Sequence, residues 1–166
     1  MGGGYHPASR RGVTAAVEAG AVSTPRLVES DADVAACWPV MRLLRPHLAS
    51  AEAFADRVAR QRTTGYRLSA VWEGNNVVAV AGWRVQENLL HGRHLFVDDL
   101  AALEARRGQG FGSMLLAALK VEGRLAGCDK LVLGTALANV LAHRFYYRHG
   151  LLATGLGFSG SLVVVA

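Results

Sequence analysis

"RRGQGFGS", residues 106–113, sets three glycines at alternate positions behind two arginines and runs straight into the apolar segment "MLLAALKVEG". The stretch before it, "RHLFVDDLAAL" (93–103), is rich in β-forming residues. The loop is therefore read as a joint between a strand and a helix start. Helix N-termini carry unpaired N–H groups and a partial positive charge, so they attract anions. Alternate glycines let the backbone approach an oxyanion with no Cβ in the way, and Arg106 and Arg107 can add charge-assisted bonds. A plain tight turn explains the same glycines. Two phosphate motifs do not fit. The dinucleotide fingerprint, Gly-x-Gly-x-x-Gly, fails at Ser113 when counted from Gly108 and at Leu115 when counted from Gly110. The nucleotide P-loop needs a Gly-Lys-Ser/Thr ending, and the loop has no lysine.

Outward from the loop, "SMLLAALKVEGRLAG" reads as a helix ended by Gly127, with Met114, Ala117, Ala118, Val121 and Leu125 along one face. "KLVLGTA" follows as a short buried strand, then "NVLAHRFYYRHG" as a helix closed by Gly150. "LLATGLGFSGSLVVVA" is expected to give a last pair of strands. On the N-terminal side, "YRLSAVWEGNNVVAVAGWRV" reads as a hairpin turning at "EGNN". Two helices precede it, capped by Ser30 or Asp31 and by Ser50, and stopped by Pro46 and Gly65. A strand leads into the first of them. The resulting order is β-α-α-β-β-β-α-β-α-β-β. The strand–loop–helix–strand unit calls for a parallel pair, and the hairpins call for antiparallel ones. A mixed sheet with helices on its faces follows.

The chain has 166 residues, 51% of them apolar and 19% charged, which suits one globular domain over 24–166 behind a loose tail, 1–23. No apolar run reaches the roughly 18 residues of a membrane helix, and "MGGGYHPASRRG" lacks the apolar middle of a secretory signal, so a cytoplasmic location is expected. Cys37 and Cys128 mark neither a disulfide framework nor a zinc site and are read as buried small hydrophobes. The net charge of +5 comes from scattered arginines without interleaved aromatics. That pattern favours a basic surface or an anionic small molecule over nucleic acid.

Arg107, Gly110 and Gly112 match Arg/Gln-x-x-Gly-x-Gly/Ala, and Asn139, Ala142 and Tyr146 recur at a matching spacing downstream. Over about residues 24–160 the chain resembles the GNAT (GCN5-related) acetyltransferases. The resemblance implies an α/β (α+β) fold with a mixed, mostly antiparallel central sheet flanked by helices. It implies acetyl-CoA as co-substrate, and no metal. Arg107, Gly108, Gln109, Gly110, Phe111, Gly112 and Ser113 would cradle its pyrophosphate. Leu100, Ala101 and Ala102 would pair with pantetheine where a bulge parts their strand from "KLVLGTA". Asn139, Ala142 and Tyr146 would complete the cofactor site. Leu151 departs from the family's usual Phe, and Ala102 from its usual Val.

In the same resemblance Tyr146 holds the place of the general acid. A phenol can donate to the departing thiolate through a short bond. Asp98 and Asp99 match an acidic pair found in amine acetyltransferases of the family. As neighbours on a strand they are expected to face opposite sides, so that one alone lines the pocket, with Asp98 acting through water. Trp38, Met41, Arg42 and Arg45 fall where the family shapes its acceptor pocket. Trp72 and Trp83 read as core, His91 and His94 as a weak metal candidate, and His143 and His149 as surface positions. The implied activity is direct N-acetyl transfer from acetyl-CoA to a primary amine of a small molecule or peptide. The competing readings are a non-catalytic acyl-CoA-binding module and a basic nucleic-acid binder. An apolar "SLVVVA" edge strand also favours a homodimer.

Overall fold

The computed structural model describes residues 24–163. The expected N-terminal tail, 1–23, and the last three residues of the expected domain lie outside them. The elements run β1 (Arg26–Leu27), α1 (Asp31–Leu44), α2 (Ala51–Arg62), β2 (Arg67–Glu73), β3 (Asn76–Asn88) and β4 (Gly92–Ala102). A single 3₁₀ turn, Glu104–Arg106, then leads to α3 (Phe111–Leu125), β5 (Lys130–Leu133) and α4 (Val140–Arg148). The five strands form one sheet in chain order, antiparallel except for β4 and β5, which run parallel across α3. The mixed sheet and the central crossover expected from the sequence are both present.

Local chemistry sets the boundaries. The Ser30 hydroxyl caps α1 by accepting from the Asp33 N–H at 3.1 Å, and Ser50 caps α2 by accepting from Ala53 N–H at 3.1 Å. Gly74, at φ 56°, makes the turn between β2 and β3. Period-two alternation divides the sheet residues between two cores. Leu68, Ala70 and Trp72 pack with α1 and α2, while Val71, Leu95 and Val97 pack with α3. Trp72 and Trp83 are buried as expected. Cys37 is buried too, but Cys128 is half-buried.

Two readings are corrected. The buried stripe of α3 is Phe111, Leu115, Leu119 and Gly123, joined by Leu116, while Val121 and Leu125 are exposed. Two apolar stripes compete on this helix. The one that wins has larger side chains at its start and a glycine at its end, where Leu95 closes to 3.5 Å of the position a Cβ would take. The second correction concerns the C-terminus. Residues 151–163 form no strand, and Leu152, Phe158 and Leu162 are exposed. Gly155, Gly157 and Gly160 leave three positions without side chains to pack and add backbone entropy to be lost. Of the expected edge strand 161–166, residues 161–163 form no strand and 164–166 lie outside the described residues.

Candidate active site

The glycine loop leaves β4 through the 3₁₀ turn. Gly108 (φ 78°) and Gly110 (φ 89°) both take the left-handed conformation that side chains resist. Gly110 is the N-cap of α3 and has no side chain with which to cap it. The first N–H groups of α3, on Phe111, Gly112 and Ser113, thus lack the side-chain partner that ends α1 and α2. The two arginines part company. Arg106 is tied to Glu73 at 2.8 Å, pinning the loop to the β2–β3 turn, whereas Arg107 meets Glu104 only at 3.7 Å and is largely exposed.

β4 pairs with β5 only from His94 to Val97, opposite Lys130 to Leu133. Beyond that point Asp99 to Ala102 are paired on the β3 side alone. Leu100, Ala101 and Ala102 face Ala81, Val80 and Ala79 there. Because β4 and β5 are parallel, the gap opens at their carboxyl ends, the same end from which the glycine loop departs. Ligands of open α/β sheets favour that place. The expected bulge is found four residues before Ala102 rather than within 100–102. Gly82 pairs with Asp99 and Trp83 with Val97, so Asp98 is the extra residue.

That bulge overturns the expectation that Asp98 and Asp99 face opposite sides. Both line one cavity of about 210 Å³ between the sheet and the α1–α2 layer. Each carboxylate has its own arginine. Asp99 Oδ1 accepts from Arg45 Nε at 2.7 Å, and its Oδ2 accepts from the Tyr66 hydroxyl at 2.7 Å. Asp98 Oδ2 accepts from Arg84 Nε at 2.9 Å, and its backbone carbonyl accepts from Arg45 Nη2. Its Oδ1 has no partner among the described residues. Arg84 is steadied by Gln61, whose Oε1 accepts from Nη2 at 2.7 Å. Burial first, and then the Asp99 charge, holds the Tyr66 phenol protonated far above its ordinary range. The network needs Gly82, because a Cβ there would strike the Tyr66 hydroxyl and Asp99 Oδ2.

Of the four α1 residues expected at the pocket, Met41 and Arg45 line the cavity. Trp38 instead stacks on Phe54, with ring centroids 5.8 Å apart, and Arg42 is exposed away from the cavity. Tyr66, Arg84 and Gln61 were missed by sequence reasoning. A glycine inside the apolar run "VVAVAGWRV" was the one available signal, marking a close approach.

On α4, Asn139 is the N-cap, and its Oδ1 accepts from Ala142 N–H at 3.2 Å, which gives the Asn–Ala spacing a local reason. Tyr146 is half-buried, and its hydroxyl has no hydrogen-bond partner among the described residues. Burial raises its pKa. The helix meets the glycine loop twice. The Phe145 ring lies 3.4 Å from where a Cβ on Gly112 would be, and His149 Nε2 lies 2.9 Å from Ser113 Oγ. His149 Nδ1 faces the Phe145 carbonyl at 2.8 Å, which can only accept. In the neutral ring, therefore, Nδ1 carries the proton and Nε2 accepts from the Ser113 hydroxyl. His149 is not the surface residue expected. His143 bonds the Ala136 carbonyl at 3.0 Å, and His94 is buried with His91 edge-on to it at 5.3 Å. Among the described residues no group of three or more His, Cys, Asp or Glu could hold a metal ion. No helix among them is long and apolar enough to cross a membrane.

The acetyltransferase (GNAT) family model matches residues 34–151. The chain belongs to this family and is an acetyltransferase. It is 32% identical over 110 residues to the uncharacterized N-acetyltransferase YhdJ of Bacillus subtilis (strain 168), covering 66% of this chain and 77% of that one. It is 34% identical over 98 residues to the aminoalkylphosphonate N-acetyltransferase of Salmonella typhimurium, covering 58% of this chain and 62% of that enzyme. The fold matches aminoglycoside N-acetyltransferase AAC(6')-Iy, solved in complex with CoA, at a TM-score of 0.72 and 14% identity, over 84% of this chain and 94% of that one.

Proposed function

We propose that the chain, through one domain over 24–166, transfers the acetyl group of acetyl-CoA directly to a primary amine of a small molecule or peptide. One observation carries this reading. An uncapped helix start with two left-handed glycines sits at the end of the sheet where β4 and β5 part. The backbone N–H groups of 108–113 fit a diphosphate, the Arg107 N–H being committed to the Glu104 carbonyl, and the free edge of Leu100 to Ala102 fits an amide-bearing arm such as pantetheine. The complex of AAC(6')-Iy with CoA and the amine acceptors in the names of the relatives support the same reading.

In the proposed step the amine nitrogen attacks the thioester carbonyl carbon, the carbon–sulfur bond breaks, and the amine gives up a proton. Tyr146 protonates the leaving sulfur, since its hydroxyl is otherwise unengaged and burial keeps it protonated. Asp98, through the unpartnered Oδ1 and a water, takes the amine proton. Asp99 has both oxygens committed, to Arg45 and Tyr66, and holds the pocket in shape. Holding both reactants together supplies much of the acceleration. A screen of amines with acetyl-CoA, read by thiol release, tests the proposal. Release that depends on an amine and is lost in both Tyr146→Phe and Asp98→Asn supports it. Coenzyme A binding without release from any amine would instead favour the non-catalytic module.

A further inference from the structure

The charges around the cavity do not cancel. Arg45 answers Asp99, and Arg84 answers Asp98. Arg57, on α2, and His47, in the α1–α2 connection, line the same cavity and have no hydrogen bond or ion pair among the described residues. The carboxylates belong to the sheet floor and the unpaired guanidinium of Arg57 to the helical wall. A polycationic acceptor would meet carboxylates already neutralised and would face an unmatched guanidinium. A molecule with an anionic group beside its amine would supply the missing charge.

We infer that the acceptor is a small zwitterion, an amine joined by a short link to a phosphonate, phosphate or carboxylate, whose anionic end is held by Arg57 at the cavity that His47 also lines. This rests on the proposed acetyl transfer for the amine end only. The cavity, about 210 Å³, lies at the small end for ligand pockets and suits a compact acceptor. A guanidinium at the rim can meet a three-oxygen anion or a carboxylate through two parallel N–H donors. The anionic end is then fixed on the wall and the amine is directed to the floor, where Asp98 Oδ1 is unpartnered.

The test compares 2-aminoethylphosphonate, ethanolamine phosphate and β-alanine with propylamine, which lacks the anion, and putrescine, which carries a second cation. Two readouts are used: acetyl transfer, and calorimetric binding to the coenzyme A-loaded protein. At least one zwitterion is expected to exceed propylamine and putrescine by about tenfold or more in kcat/KM, the size of one charge-assisted contact. Arg57→Ala should collapse that ratio and Arg57→Lys should keep part of it, with coenzyme A affinity reporting an intact fold. The three zwitterions separate the anion types. If propylamine or putrescine matches every zwitterion, or if Arg57→Ala leaves the ratio intact, the inference is overturned while acetyl transfer stands. If a zwitterion binds through Arg57 but no amine is acetylated, the transfer reading fails and the anion subsite stands. If no zwitterion binds, the subsite is overturned.

Discussion

Tyr146 bears the sharpest expectation at the scale of single residues. General acid catalysis contributes about 10²–10⁴-fold, so Tyr146→Phe should lower kcat roughly 100-fold, much more than it alters coenzyme A affinity. The sign of the pH dependence follows from burial. A phenol raised above its ordinary value of about 10 stays protonated through neutral and mildly alkaline conditions. Activity should therefore rise with pH as the amine loses its proton and show no falling limb below about pH 10. A falling limb near pH 8 that disappears in Tyr146→Phe would remove Tyr146 from the role.

Gly82 and Cys37 carry predictions of a structural kind. Adding one methyl at Gly82 drives Tyr66 and Asp99 apart, an overpacking cost of about 2 kcal/mol. Thermal denaturation of Gly82→Ala should show a Tm lowered by roughly 5 °C. The Cys37 thiol is pushed up to about 12 from 9.0, by burial and then by Asp33. With about a thousandfold less thiolate at neutral pH, it should resist a disulfide reagent in the folded protein. Half-buried Cys128 should react first, as mass spectrometry of labelled peptides would reveal.

Elements, more than residues, decided what the sequence could reveal. Helix caps, the β2–β3 turn and the glycine loop are local chemistry, and all were legible. Non-local pairings were less so. The face of α3 depended on Leu95, far away in sequence. The shared side of Asp98 and Asp99 depended on a one-residue slip against β3, which moves a side chain across the sheet. Gln61 of α2, Arg84 of β3 and Tyr66 of the α2–β2 connection gather with no common motif. Residues 151–163 form no strand, because an apolar run with glycines resembles a strand only while a partner is assumed.

At this scale the start of α3 offers a direct check. Gly110→Ala forces a side chain into left-handed backbone, at about 1–2 kcal/mol. Calorimetry should record both a less stable protein and weaker coenzyme A binding. His149→Ala cuts the bond that joins the end of α4 to Ser113, so kcat should fall along with coenzyme A affinity as Tyr146 loses its fixed position.

For the molecule as a whole, the sheet is two structures in one. From β1 to β3 it is an antiparallel ladder, with one register shift at Val71/Trp72, that carries helices α1 and α2 on one face and α3 on the other. Past Val97 its last two strands share no further rungs, and β4 keeps a bare margin in the middle of the protein. Margins of that kind ordinarily lie at the periphery, where proteins guard them. Here the deuterium clock should run unevenly. Backbone amides on the β5 side of 98–102 should exchange like those of a loop, although their neighbours on β3 are locked. Saturating coenzyme A should slow them selectively, leaving β2 at its original rate.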